Sequence, residues 1–162
     1  MTHDHAAHLG GTEGAIPELP GDDIFGAIAE IVAMLSSDPA TDWSRVDIGA
    51  LREHLLDMDA VGRGPAADAR EVDGGVEILI PTVGPAGDAA TRMVTAHAPV
   101  LATETGWSST VQTTDDGKLA WRVTGHSPDD STKIRALGFF GLLATGAHHQ
   151  AHHLAMAKGV LH

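Results

Sequence analysis

The sequence contains no cysteine and no tyrosine. Without thiols it can form no disulfide, thiolate metal site, iron–sulfur cluster, cysteine nucleophile or ordinary covalent haem attachment. Without tyrosine it has no phenol to serve as a general acid. Positive charge is also scarce. Lys and Arg total 10 against 22 Asp and Glu, for a formal net charge of −12. Nucleic-acid binding needs a basic footprint, and an anionic membrane surface repels a chain of this sign, so neither partner is expected. The imbalance is local: residues 1–60 hold 12 acids and 2 bases, residues 61–162 hold 10 and 8. Long apolar runs are missing too. The stretch near the carboxyl end is interrupted by histidines, so no membrane-spanning helix is expected. The opening MTHDHAAHLGG has neither the basic region nor the apolar run of a signal peptide. A cytoplasmic protein is the expectation.

A length of 162 residues suits one domain, and 43% apolar residues can build a core of ordinary size. Residues 1–20 read as a flexible arm in which His3, His5 and His8 sit among Asp, Ala and Gly; a single domain is expected over 21–162. A first helix is expected over 23–36, capped by Asp22 or Asp23, with Ile24, Ile28, Ile31 and Leu35 as its stripe. A second is expected over 45–59, with Ser44 as cap, Asp47 in the first turn, and Ile48, Leu51, Leu55 and Met58 as its stripe. After a loop at 62–69 comes one strand near 71–80, then a helix near 86–102. A hairpin over 108–124 turns at Asp116-Gly117. Pro128 and the acids after it start a last helix, over 130–158, bent near Gly138, Gly141 and Gly146.

The order ααβαββα predicts an α+β fold: an antiparallel sheet of about three strands packed with four helices. Its β-α-β-β-α core resembles an incomplete ferredoxin-like arrangement lacking the last strand. The missing strand leaves a sheet edge open, so a homodimer formed through that edge, or through the Gly-rich helix, is expected.

Histidine is the unusual abundance: 11 in all, five of them in the last 15 residues. In GAHHQAHHLAMAKG, His148 and His152 are four apart, as are His149 and His153, so each pair shares a helix side one turn apart. This spacing aims two imidazoles at one ion in HExxH metal sites, but Gln150 stands where that motif needs its glutamate base, which disfavours metalloprotease chemistry. The His148 column is read as the inward one, with the His149–His153 column free to face inward as well or to face a partner. His54 and His97 lie beside the apolar stripes of other helices and are the candidate further ligands. Asp57 is the candidate carboxylate base. Such a site suits zinc, iron or copper, and if catalytic the metal would activate water or oxygen for a small-molecule substrate whose identity the sequence leaves open. Met58, Met93 and Met156 each lie one turn from a histidine, which opens a haem or copper carrier as an alternative, although methionines on apolar stripes are commonly core filler. A further alternative is a non-catalytic homodimeric interaction module whose histidines are interface or pH-sensitive groups. No nucleophile elbow, phosphate-binding loop or dinucleotide fingerprint is present.

Overall fold

A computed structural model describes residues 24–64, 67–146 and 149–160, with His149 and Gln150 described as backbone only. Nine elements follow in order: α1 (Ile24–Ser37), α2 (Ile48–Arg63), β1 (Asp68–Val72), β2 (Gly75–Ile80), α3 (Gly84–Thr105), β3 (Ser108–Thr113), β4 (Leu119–Thr124), α4 (Pro128–Ala144) and α5 (His149–Ala157). The fold is α+β, as the pattern of elements implies. The expected flexible arm lies outside the described residues.

The element count differs from the sequence expectation in two places. The single strand at 71–80 is two: Asp73 and Gly74 turn the chain back, with Gly74 at φ 78°, so β1 and β2 form a hairpin. β1 carries no apolar alternation, being exposed along nearly its whole length, and periodicity therefore missed it. The last helix is also two. Gly138 at φ 60° and ψ −165° bends α4, and Gly146 at φ 67° follows its end. Five helices and four strands result. The sheet order is β1-β2-β4-β3, all antiparallel, a hairpin–helix unit used twice rather than a truncated ferredoxin-like core.

Local signals explain most of the boundaries. Asp47, not Ser44, caps α2, its carboxylate accepting from the Ala50 N–H at 2.9 Å. Ser127 caps α4 with Pro128 in the first turn. The β3–β4 connection is longer than a two-residue turn. The Thr114 N–H donates to the Lys118 carbonyl and the Gly117 N–H to the Thr114 carbonyl, with Gly117 at φ 81°.

Pleating gives the sheet two unlike faces. Val76, Ile78 and Ile80 of β2 and Leu119, Trp121 and Val123 of β4 point to one side, where α3 and α4 bury them with Ala90, Val94, Leu101, Ile134 and Leu142. Ile78 stands opposite Trp121 in this core, and the Trp121 indole N–H donates to the Ser109 hydroxyl at 2.9 Å, which satisfies its one polar atom. α2 packs on α3, and α1 and α5 pack on α2. This outer layer has its own core of Ala27, Ile31, Leu35, Leu51, Leu55 and Ala157.

On the other face Glu77 stands between two guanidinium groups. Arg70 of β1 and Arg122 of β4 both donate to its carboxylate, the second at 3.2 Å. The Arg70 hydrogen bond holds the Glu77 carboxyl below the ordinary glutamate value, with Arg122 adding to it and burial opposing. A group depressed in the folded state contributes stability that is complete above its unfolded value, 4.5, and is lost as pH falls through the lower folded value. Glu77→Gln is therefore expected to flatten the acid side of the stability–pH curve below about 4.5 and to cost about 1–3 kcal/mol at neutral pH. Urea titrations at several pH values measure both, and an unchanged acid slope in the variant contradicts the assignment.

Candidate functional site

The helical layer brings three of the sequence-predicted histidines together. Leu51 and Leu55 bury one side of α2 against α1 and α5, which sets His54, on the intervening turn, half-buried at the α2–α5 seam. The end of α5 is tied to the start of α2: the Asp47 N–H donates to the Ala157 carbonyl at 2.6 Å, and Ala157 is fully buried in the layer's core. Gly159, at φ 71°, lies so close to the Arg45 carbonyl that a side chain there would collide with it. With Ala157 against Asp47 and His153 against His54, α5 runs antiparallel to α2.

His153 is 1% exposed and His152 is half-buried. The His54 ring lies 4.7 Å from the His152 ring and 5.3 Å from the His153 ring, centroid to centroid, edge-on to both at 68°. His152 and His153 are 6.4 Å apart. The Nε2 atoms of His54 and His153 are both closed off from solvent. As the rings stand, no group of three or more His, Asp or Glu among the described residues is arranged to hold a metal ion.

Among the described side chains the deepest imidazole is His153, of the second column, while His152, of the column read first as inward, is half-buried. The reason is the break between α4 and α5. One continuous helix would carry the phase of Ile134 through to His148 and His152; the turn at Thr145–Gly146 resets it. His148 lies outside the described residues, and nothing is described of the His149 side chain.

His97 is placed elsewhere. Its Nε2–H donates to the Leu142 carbonyl at 3.0 Å, and its ring stands edge-on to Trp121 at 6.4 Å, so it joins α3 to the end of α4 beside the sheet core. Asp57 is engaged by Arg92 of α3, whose Nε and Nη2 donate to its two oxygens at 2.8 and 2.7 Å. That hydrogen-bonded pair holds the Asp57 carboxyl below its ordinary value, against partial burial, and ties α2 to α3. The methionines divide the same way: Met58 packs in the helical layer and Met93 against the sheet core.

One structural contact carries no signal in the sequence. His126 donates from Nε2 to the Gly106 carbonyl at 2.9 Å, at the left-handed residue that ends α3. The Asp130 carboxylate accepts the His126 backbone N–H at 3.0 Å, so the β4–α4 connection is fixed to the end of α3. A histidine two residues before a helix start carries no periodic signal, which is why pattern alone did not find it.

No family model matches this chain, and neither a curated protein nor a solved structure does. Among the described residues no helix is long and apolar enough to cross a membrane.

The burial of His153 yields a stability prediction. His153→Ala removes a packed ring between α2 and α5 and is expected to lower unfolding free energy by about 2–4 kcal/mol. His126→Ala, which loses one hydrogen bond at an exposed site, is expected to cost about 1 kcal/mol. Denaturant titration of both variants checks the ordering; equal losses would show that the α2–α5 seam is loosely packed.

Proposed function

We propose that this protein is a non-catalytic interaction module that pairs with a second copy of itself along the β3 edge. The carrying observation is the contrast between the two edges of the sheet. β1 holds Asp68, Arg70 and Glu71, and its Val72 carbonyl accepts from Arg135. Charge and capping of this kind blunt an edge against further pairing. β3, SSTVQT, holds no charge and no proline, and among the described residues its strand partner is β4 alone. Its outer row of backbone N–H and C=O groups is a template for another strand.

Charge favours a second copy at this place over others. A net charge of −12 makes two copies repel broadly, and β3 lets backbones meet without setting like charges opposite. Antiparallel self-pairing also places the two acidic Asp115-Asp116 loops at opposite ends of the contact. The product is one continuous eight-stranded sheet around a twofold axis, a self-complementary interface of the common kind. His54, His152 and His153 lie in the α1–α2–α5 layer, away from this edge.

Sedimentation velocity tests the reading. The wild-type chain is expected to dimerise with rising concentration in the micromolar range. Thr110→Lys combined with Gln112→Lys sets like charges across the twofold axis and is expected to leave a monomer whose melting temperature matches that of the wild type at low concentration. A wild-type monomer at all concentrations up to about 1 mM, or a dimer indifferent to the double substitution, overturns it.

A further inference from the structure

We propose a binding site for a small monocarboxylate on the uncovered face of the sheet, in a depression of about 300 Å³ lined by Glu77, Thr110, Gln112, Ala120 and Arg122. The strand register builds it. Thr110, Arg122, Glu77 and Arg70 stand side by side across β3, β4, β2 and β1. Gln112, Ala120 and Leu79 form the next row on the same face, since residues two apart on a strand point the same way. Ala120 is the short side chain of that row, so the face dips between Gln112 and Leu79. A volume of this order lies at the lower end of the range for small-ligand pockets.

Charge selects the ligand. The chain carries a net −12, yet the exposed charged heads in the Thr110–Arg70 row are both guanidinium groups. Glu77 lies buried between them, so the three groups present their cations outermost and sum to one positive charge. Arg122 gives Glu77 only its Nε–H, at 3.2 Å. The N–H groups on its two Nη atoms remain for a ligand, and a carboxylate takes such a fork with both oxygens. The carboxylate of Glu77 holds that guanidinium in place before a ligand arrives. Thr110, directly opposite Arg122, adds a hydroxyl, and Gln112 adds an amide. Ala120 and Leu79 supply apolar ground for a short carbon chain. One local positive charge within an acidic chain favours a monoanion over nucleotides and polyphosphates, because every further negative charge meets repulsion from the rest of the molecule. Two acids lie nearby. Asp68 is on β1, two strands and about 10 Å from Arg122, and Asp116 is paired with Lys118 at 3.6 Å in the β3–β4 loop. The site is complete in one chain: it uses side chains on the face of the sheet, whereas the edge contact proposed above uses the backbone of β3.

The test titrates lactate, which offers a carboxylate, a hydroxyl and a methyl group, into isotope-labelled protein at constant ionic strength, with neutral lactamide as control. Saturable shifts of backbone amide resonances confined to β2, β3 and β4 are expected, with a Kd of about 1 mM, the order a ligand of this size reaches. Lactamide and inorganic phosphate are each expected to bind about tenfold more weakly or worse. Arg122→Lys keeps the charge but loses the fork, and is expected to weaken lactate about tenfold. Thr110→Val and Gln112→Ala, at exposed positions, are each expected to weaken it about threefold, and they decide the matter if Arg122→Lys does not fold. Arg52→Gln on α2 is expected to change nothing. The Kd is expected to be the same at protein concentrations where sedimentation shows a monomer and where it shows a dimer. Shifts that do not saturate by about 50 mM, or that spread over the whole chain, overturn the proposal. So does lactate binding at full strength in Arg122→Lys, phosphate binding tighter than lactate, or affinity that exists only in a dimer.

Discussion

Burial of Leu51 and Leu55 on α2 is the contact on which the arrangement of the outer layer depends. α2 has work on two sides. One side lies on α3, stapled by Arg92 and Asp57. The other receives α1 through Ala27, Ile31 and Leu35 and α5 through Ala157. A nine-residue helix such as α5 is too short to be stable by itself, so its position is set by docking. The meeting of His152 and His153 with His54 is thus a consequence of apolar packing one turn away. A substitution at Leu51 or Leu55 would disperse the imidazoles without touching one of them.

The sheet layer is organised by a different principle. β2 and β4, at its centre, carry a strict alternation, with Ile78 facing Trp121 inward and Glu77 facing Arg122 outward. The inward set makes the core with α3 and α4. The outward set lies on a face that no helix among the described residues covers, where Glu77 is kept ionised by arginines on both neighbouring strands. A buried carboxylate is tolerable only when paired in this way. The same alternation pushes all the sheet's apolar demand to one side, so the unmet requirement of the other side is confined to the backbone groups of its edges. β1 answers that requirement with charge, and β3 does not.

The β3 edge and the histidine seam of α2 and α5 occupy separate parts of the molecule. α3 lies between them, packed on the sheet on one side and on α2 on the other. Separate sites can be removed one at a time, and loss of self-association carries no implication for the histidine cluster.

Where side-chain periodicity was strong, the amino-acid order alone determined the outcome: the stripes of α1 and α2, the inward face of β2 and β4, and the α+β class. Turn chemistry at glycines and exposure of β1 were decided only in three dimensions. A strand exposed on both faces has no alternation to read, and a glycine within a helical pattern marks either a close contact or a break with equal economy. That ambiguity mattered most at Gly146. Its left-handed backbone ends the phase of α4, and of the described imidazoles of α5 His153 is buried and His152 half-buried. The separation of His97 from the cluster was likewise tertiary. Helical spacing states which residues share a face of one helix, while the neighbour that face meets is fixed by how the layers stack. Here α3 turns its histidine to Leu142 and Trp121 because the sheet, with the larger apolar surface, claims that side of the helix.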